Sequence, residues 1–179
     1  MAINQGAAVR MMEIGFSLGT NLGDRLANLR GAADRIQAFP DTTILARSRI
    51  YETAPVGVKP QYRDMAYLNA VLIISTGLPV EEVSLRIHAI EADMGRVRTG
   101  DRFAPRPIDI DILYAGNDIR NDDDLTLPHP RWADRRFVVQ PLADVRPDLT
   151  FPGDRLSVAR ILSSMPGAAD DVVPIADSW

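Results

Sequence analysis

The 179-residue sequence contains no cysteine and only one lysine, Lys59. Without cysteine, a disulfide framework, a thiolate metal site and a thiol nucleophile are all excluded, and this composition fits a reducing compartment. Because lysine is nearly absent, phosphate binding would depend mainly on arginine. The sequence also has no Gly-x-x-x-x-Gly-Lys-Ser/Thr loop, no Gly-x-Ser-x-Gly elbow and no protein-kinase signature. These absences argue against the commonest γ-phosphoryl-transfer machinery.

The chain also lacks long apolar runs and any excess of positive charge. No run approaches the ~20 residues of a membrane span, and residues 1–12 lack the apolar region of a secretory signal. The formal net charge is −4 and the pI is near 5.1, which argues against a general nucleic-acid binder. We therefore expect a cytoplasmic monomer without nucleic-acid or membrane partners. The length fits one domain, placed at residues 13–165, between a flexible leader at 1–12 and a C-terminal tail at 166–179.

Hydrophobic periodicity predicts two long helices and four strands. Apolar residues recur at spacings of three and four over residues 22–36 and 80–94, as in amphipathic helices. The segments 13–18, 42–51, 67–75 and 108–114 are rich in apolar and β-branched residues, which indicates strands. The order β-α-β-β-α-β is that of a ferredoxin-like core. This is an α+β fold with an antiparallel sheet and helices on one face, here with a C-terminal extension. The other face is expected to be free for ligands.

Two weaker helical segments are expected in the C-terminal part. One short segment is predicted just before Phe137, and a second at about residues 156–164.

Two aspartates, Asp109 and Asp111, alternate with isoleucines in the last of the four strands. Alternate side chains of a strand share a face, so the isoleucines face a core and the aspartates lie together, roughly 7 Å apart along the strand. Such a pair favours a cation, and oxygen ligands suit magnesium. Just upstream lie four cations that suit a polyphosphate: Arg96, Arg98, Arg102 and Arg106. This segment predicts phosphoryl or pyrophosphoryl transfer from a metal-bound triphosphate. The alternative is a solvated edge strand with surface salt bridges worth about 0–1 kcal/mol each.

Further motifs accompany this segment in a fixed order. They are Tyr51-Glu52-Thr53-Ala54-Pro55-Val56-Gly57, Tyr67-Leu68-Asn69, Ile90-Glu91 with Gly95-Arg96-Val97-Arg98, Pro105-Arg106-Pro107-Ile108-Asp109-Ile110-Asp111-Ile112-Leu113-Tyr114, Leu127-Pro128-His129-Pro130-Arg131 and Arg135-Arg136-Phe137-Val138. The series, over about residues 14–152, resembles the hydroxymethyldihydropterin pyrophosphokinase family of folate biosynthesis. The Pro-Arg-x-x-Asp-x-Asp-Ile-Leu and Pro-His-Pro-Arg blocks are the most specific. Phe103-Ala104 stands where that family usually has Trp-Gly.

The resemblance implies a reaction and a set of catalytic residues. The hydroxymethyl oxygen of 6-hydroxymethyl-7,8-dihydropterin attacks the β-phosphorus of ATP, the pyrophosphoryl group moves, and AMP leaves. Two Mg²⁺ ions, held by Asp109 and Asp111, would form a two-metal clamp, with ATP as co-substrate. Arg98 and Arg106 would neutralise charge on the transferring group.

The same resemblance assigns residues to two binding sites. The ATP site would comprise Glu91, Arg96, Arg98, Phe103, Arg106, His129 and Arg135. The pterin pocket would comprise Thr53, Ala54, Val56, Tyr67, Asn69 and Phe137. An aromatic ring such as Phe137 suits a flat heteroaromatic ligand, and the amide of Asn69 offers both a donor and an acceptor to its edge.

Several of these residues also have simpler interpretations. Asn69 could be a polar strand-end residue facing water, and His129 a plain turn residue between two prolines. Phe137 lies in an apolar run typical of a core. Glu91 could pair with Arg96 or Arg98 instead of contacting ribose.

Three other classes of protein remain as alternatives. An Asp-x-Asp glycosyltransferase would use a nucleotide sugar, but such enzymes are usually larger and have parallel sheets. Many RNA-binding modules share the ferredoxin-like fold, but the acidic pI and the absence of an aromatic-rich RNP1 motif argue against one. A catalytically silent pterin-binding relative would keep the binding residues. Because both aspartates and both loop arginines, Arg98 and Arg106, are present, an active enzyme is favoured.

Overall fold

The computed structural model describes residues 10–55, 58–97, 100–101, 104–122, 124–166 and 171–179. The strands are β1 (Met12–Thr20), β2 (Thr42–Arg47), β3 (Ile50–Thr53), β4 (Tyr67–Thr76), β5 (Asp109–Ala115), β6 (Arg120–Asn121), β7 (Thr126–Leu127) and β8 (Val173–Ala176). The helices are α1 (Arg25–Gln37), α2 (Val80–Asp93), α3 (Arg136–Val145) and α4 (Val158–Ser164), with a short 3₁₀ turn at Pro60–Tyr62. The predicted site residues Val56, Arg98 and Phe103, and also Arg102, lie outside the described residues.

The main sheet is antiparallel and has the order β5-β1-β4-β3-β8, with β2 also paired to β4. Strands β2 and β3 follow one another along the same edge of β4, opposite residues 72–76 and 67–69 respectively. The two central strands are therefore β1 and β4, and β5 pairs with the free side of β1. This arrangement confirms the predicted ferredoxin-like core.

One face of the sheet packs against α1 and α2. Their buried residues Leu29, Ile36, Val83 and Ile87 belong to one core with residues such as Phe16 of β1. The isoleucines of β5 also belong to this core, as the alternating pattern predicted. Helix α1 is capped by Asp24, whose carboxylate accepts a hydrogen bond from Ala27 N at 3.0 Å, a usual way to satisfy a first-turn amide.

The opposite face is covered over one half by α3 and α4, so the prediction of a wholly free face was wrong. A second core forms there around Tyr114, Trp132 and Phe151, whose rings lie 3.9–5.2 Å apart in the two pairs that Phe151 makes. Val71 and Ile73 of β4 and Leu113 of β5 contribute the sheet side of this core, and the segment after residue 130 contributes its cover. Within that segment Phe137 lies in α3 and not after a helix. The uncovered half of this face is the half that carries Asp109 and Asn69.

The C-terminal segment, predicted as a tail at 166–179, contributes a strand to the sheet. Val173–Ala176 pairs antiparallel with β3, and Trp179 donates a hydrogen bond from Nε1 to Ser48 O at 2.8 Å. At the other end, Met12 of the predicted leader already belongs to β1. The domain therefore extends beyond the predicted boundary at residue 165.

Two partly exposed ion-pair clusters connect the elements of this second face. Asp144, near the end of α3, accepts hydrogen bonds from the Tyr51 hydroxyl at 2.8 and 2.9 Å and from the Arg49 guanidinium. Glu13 of β1 accepts from the Tyr114 hydroxyl at 2.5 Å and from two nitrogens of Arg146. Each cluster ties α3 or the turn after it to the sheet.

None of the helices in the part of the chain that the structure describes has both the length and the apolar character needed to cross a bilayer.

Candidate active site

The uncovered half of the sheet brings the predicted polar residues into two adjacent cross-strand rows. Gly19 of β1 lies opposite Asp109 on one side and Asn69 on the other. Ser17, two residues earlier, lies opposite Asp111 and Val71. Because Gly19 and Ser17 are small, the sheet surface between the aspartates and Asn69 forms the open floor of a cavity.

A cavity of about 650 Å³ stands on this floor. It is lined by residues of four strands, their loops and the start of α3: Ser17, Gly19, Thr53, Ala54, Pro55, Val58, Tyr67, Asn69, Arg96, Arg106, Asp109, Asp111, His129, Arg131, Arg135 and Phe137. One end is mainly apolar and aromatic with a single buried amide, and the other carries the charged groups. A cavity of this size is large enough for a small-molecule ligand.

Asn69 and Thr53 form the polar part of the apolar end. Asn69 is only 4% exposed, and its Nδ2 donates a hydrogen bond to Thr53 Oγ1 at 2.8 Å. This bond fixes the orientation of the amide. Its Oδ1 points toward Gly19, where an added Cβ would lie 3.5 Å away. The amide can therefore offer its carbonyl and its second N–H to a ligand edge.

Asp109 lies between two arginines at the charged end. Arg96 Nη1 is 2.6 Å from Asp109 Oδ1, and Arg106 Nη1 is 2.8 Å from Asp109 Oδ2. The backbone of Arg106 is held by Asn21, which accepts from Arg106 N at 2.9 Å and donates its own N–H to Arg106 O at 3.2 Å. The backbone at Arg106 is thus anchored just after the end of β1, next to the cavity floor.

Asp111 is less tightly paired than Asp109. Its Oδ2 is 3.8 Å from His129 Nε2 and 3.9 Å from Arg135 Nη1, which is too long for a hydrogen bond. Desolvation in the site raises the pKa of Asp111 above its usual value, and the negative charge of the neighbouring Asp109 raises it further. A cation near Asp111 would relieve this repulsion.

The surroundings of His129 favour its neutral form over the charged imidazolium. Burial lowers its pKa, and the charges of Arg135 and Arg131 lower it further, against the opposing effect of Asp111. His129 Nδ1 accepts a hydrogen bond from Arg131 N at 3.2 Å, so the ring proton of the neutral form is on Nε2, toward Asp111. His129 can therefore donate to an anionic ligand without adding a full positive charge.

Glu91 lies behind the site and does not line the cavity. It is 2% exposed on the inner face of α2. Its Oε1 accepts from Ile110 N at 2.8 Å and also pairs with Arg96 Nη1. Burial raises the pKa of Glu91, while the bonds from Ile110 and Arg96 oppose that shift.

A second cavity, of about 270 Å³, adjoins the first and shares Asp111 and His129 with it. It lies along the outer edge of β5, which is the sheet edge. Its remaining lining comes from β5 itself, from α2 and from the segment around β7: Ser84, Ile87, His88, Ile110, Ile112, Asp124, Leu125, Thr126 and Pro130. The two cavities meet at the charged groups, so one extended ligand could occupy both.

The two carboxylates form a small donor set for a metal ion. Among the described ranges, no group of three or more His, Asp or Glu side chains is placed to hold one. Magnesium is often bound by one or two carboxylates together with substrate phosphates and water. Asp109 and Asp111 on one strand face therefore fit Mg²⁺ that arrives with a nucleotide, and they do not form a site that could enclose an ion alone.

Most of the predicted site residues whose positions are described lie around the same cavity. The cavity lining includes the predicted pterin residues Thr53, Ala54, Tyr67, Asn69 and Phe137, and also the predicted nucleotide and metal residues that are described, with Glu91 as the exception.

Three contributions to the cavity were not predicted. The floor residues Ser17 and Gly19 could have been found, because small residues occupy one face of β1 while Ile14, Phe16 and Leu18 occupy the other. Arg131 is part of a quoted motif but had no assigned role. Pro55 is likewise part of a quoted motif without an assigned role, and Val58 carried no sequence signal beyond that of a loop.

Known proteins of one family resemble this chain over most of its length. The sequence profile of the family described as 7,8-dihydro-6-hydroxymethylpterin-pyrophosphokinase matches residues 15–147. A 2-amino-4-hydroxy-6-hydroxymethyldihydropteridine pyrophosphokinase from Methylorubrum extorquens is 41% identical over 143 residues, which are 79% of this chain and 87% of that protein. The folic acid synthesis protein fol1 of Pneumocystis carinii is 38% identical over 143 residues, or 80% of this chain. The matched region is only 19% of that longer protein.

The fold is also found in solved structures. A crystal structure of HPPK-DHPS in complex with substrates superposes with a TM-score of 0.65 at 14% identity, covering 87% of this chain and 43% of the other. At this identity the likeness supports the fold alone.

Proposed function

Because the chain belongs to the 7,8-dihydro-6-hydroxymethylpterin-pyrophosphokinase family, we propose that it transfers pyrophosphate from ATP to the hydroxymethyl group of 6-hydroxymethyl-7,8-dihydropterin and releases AMP, in folate biosynthesis. The observation that carries this function is one cavity with a buried amide at one end and paired aspartates among arginines at the other. A bicyclic amide-bearing ring and a polyphosphate fit these two ends respectively.

The pterin would bind at the end formed by Asn69 and Thr53. The carbonyl and free N–H of the Asn69 amide match the alternating donors and acceptors along a pterin edge. Phe137 and Tyr67, which line the same cavity, offer apolar and aromatic surface to the flat ring. In this orientation the hydroxymethyl group would point toward Asp109 and Asp111.

The triphosphate would bind at the arginine end. Arg96 and Arg106 pair with Asp109 in the structure. We infer that they exchange this carboxylate for phosphate oxygens when the nucleotide enters. His129 and Arg135 would contact the phosphates from the other side, and Arg131 adds a further positive charge at the rim. Such preorganised cations stabilise charge on a transferring phosphoryl group.

Asp109 and Asp111 would hold Mg²⁺, and we propose two ions by resemblance to the family. When bound, the ions would draw negative charge from the attacking and leaving oxygens. The aspartates would hold the positive charge of these ions next to the floor residue Gly19. No side chain of Gly19 would block the approach of the hydroxymethyl oxygen to the β-phosphorus.

The nucleoside of ATP would occupy the second cavity. It branches from the first at Asp111 and His129, where the α-phosphate would lie. Apolar surface from Ile110, Ile112 and Leu125 suits a purine ring. With the pterin in one cavity and the nucleoside in the other, the reacting groups would meet above the aspartates.

We further propose that the protein acts as a cytoplasmic monomer without nucleic-acid partners. The absence of cysteine fits a reducing compartment, and the pI near 5.1 argues against a general attraction to nucleic acids.

The decisive experiment identifies the nucleotide product. Incubation with ATP, Mg²⁺ and 6-hydroxymethyl-7,8-dihydropterin should give AMP and the pterin diphosphate in equal amounts, and excess EDTA should stop turnover. Asp111→Asn should lower the rate by at least about a hundredfold while the melting temperature changes little, because Asp111 faces the cavity and not the core. Asp118→Asn is a matched control outside both cavities.

Each other outcome has a different meaning. ADP as the product would indicate attack on the γ-phosphorus and refute the proposed transfer. Pterin binding without nucleotide turnover would support the catalytically silent relative. Turnover only with a nucleotide sugar would support the glycosyltransferase.

A further inference from the structure

Glu91 is a buried carboxylate that reaches the active site only through other residues. It projects from the inner face of α2 and lines neither of the two cavities. One of its contacts is Ile110 N, in the strand that carries both aspartates. Another is the guanidinium of Arg96, which does line the larger cavity.

Arg96 is shared between two carboxylates. The same nitrogen, Nη1, pairs with Glu91 Oε1 and lies 2.6 Å from Asp109 Oδ1. The guanidinium is mostly buried, with 18% of the side chain exposed. A cation held from behind by Glu91 neutralises Asp109 less completely than one that pairs with Asp109 alone.

Ile110 connects Glu91 directly to the geometry of the aspartate pair. Ile110 lies between Asp109 and Asp111 in β5, and its N–H points away from β1 toward α2. A carboxylate that accepts from this N–H fixes the position of the strand backbone at the point where both aspartate side chains project from it. Loss of the negative charge would weaken this bond and the bond to Arg96 together.

We propose that Glu91 is a positioning residue, which holds Arg96 and β5 from behind so that Asp109 stays available for MgATP, and that it does not contact the nucleotide. This role rests on the proposed function, since it concerns the site for MgATP. It differs from direct recognition of the ribose, which would require the Glu91 carboxylate to reach a cavity that it does not line.

The test compares nucleotides that differ only in their ribose hydroxyls. Glu91→Gln keeps the shape of the side chain and removes its charge. Calorimetric titration in Mg²⁺, without pterin, should show binding weakened by roughly 10- to 100-fold, as is typical when the partner of a metal-site residue is lost. The factor should be the same for ATP, 2′-deoxy-ATP and 3′-deoxy-ATP. A penalty that disappears for one deoxynucleotide would show that Glu91 binds the ribose and would overturn the proposal.

A double-mutant cycle with Arg96 tests the route of the effect. In an Arg96→Met background, Glu91→Gln should change MgATP affinity by less than about threefold, because the shared cation is gone. Fully additive effects would contradict the role. Glu82→Gln is the matched control: Glu82 is on the same helix, pairs with Arg86, and should leave MgATP affinity unchanged.

The remaining outcomes distinguish failure of the Glu91 role from failure of the proposed function. If Glu91→Gln does not fold, Glu91→Asp keeps the charge on a shorter side chain and should show the same equal penalty for all three nucleotides. Wild-type protein that binds no MgATP would contradict the proposed function and this role with it. Wild-type binding that Glu91→Gln leaves unchanged would contradict the role of Glu91 alone.

Discussion

Replacement of Asn69 by alanine tests the pterin end of the cavity. The side chain is buried, and one amide hydrogen is already committed to Thr53 Oγ1 at 2.8 Å. Its Oδ1 and its second N–H are the groups that remain for a ligand. Asn69→Ala removes both and leaves the facing polar atoms of a bound pterin without partners.

The magnitude follows from counting these bonds. Two hydrogen bonds at about 0.5–1.5 kcal/mol each give roughly 1–3 kcal/mol of lost binding free energy. This corresponds to a rise in the dissociation constant of about 5- to 150-fold. The affinity for MgATP should change by less than about threefold, because the charged groups lie at the other end of the cavity.

The assay is calorimetric titration of each variant with 6-hydroxymethyl-7,8-dihydropterin and, separately, with MgATP. Asn28→Ala is a matched control, since Asn28 lies on α1 and its Nδ2 donates to Leu22 O, outside the cavity. Thr53→Val should weaken pterin binding by a smaller factor, because it removes only the acceptor that orients the Asn69 amide. Unchanged pterin affinity in Asn69→Ala would refute the assignment of this end of the cavity.

Two further predictions concern stability. Gly15→Ala should lower the free energy of unfolding by roughly 1–3 kcal/mol, because its Cβ would lie 2.3 Å from the ring of Tyr114; a wild-type denaturation curve would contradict this. Burial raises the pKa of Glu13, but bonds from Arg146 and Tyr114 outweigh that effect and hold it below the usual 4.5. The stability from this carboxylate is therefore fully present above pH 4.5 and is lost as the pH falls through the lowered pKa. Glu13→Gln should thus destabilise at pH 7, and the difference from wild type should shrink at pH 3; a constant difference would contradict the linkage.

Local patterns were sufficient to predict the ferredoxin-like core. The 3–4 spacing of apolar residues located α1 and α2, and the alternation in β5 correctly separated Ile110 from Asp109. Helix α4 was predicted at about residues 156–164 and lies at Val158–Ser164, but its packing on the second face was not predicted. Helix α3 was placed too early in the chain, since Pro141 weakens its helical pattern. Strand β8 was missed because only four residues form it, one of them Pro174, and pairing with β3 over a long sequence distance leaves no local signal.

The site was predictable where its residues form compact motifs. Asp109 and Asp111 share a strand face by simple period-two geometry, and Asn69 with Tyr67 does the same on β4. The place of Glu91 was not predictable, since spacing alone cannot tell whether a helix residue faces a cavity or the back of a strand. Tertiary packing decides this, and it buries Glu91 against Ile110.

The spacing between α3 and β3 at the proposed pterin site depends on contacts that lie outside the cavity. Phe137 at the start of α3 and Thr53 at the end of β3 both form walls of the cavity, and Asp144 of α3 bonds Tyr51 of β3 and the adjacent Arg49. A ligand with a ring fused to the pterin, or with a thicker aromatic group, would have to push these walls apart. It would therefore strain the bonds of Asp144 to Tyr51 and Arg49, although it does not contact them. Variation at Asp144 among related chains would then alter inhibitor selectivity while every ligand-contacting side chain stays the same.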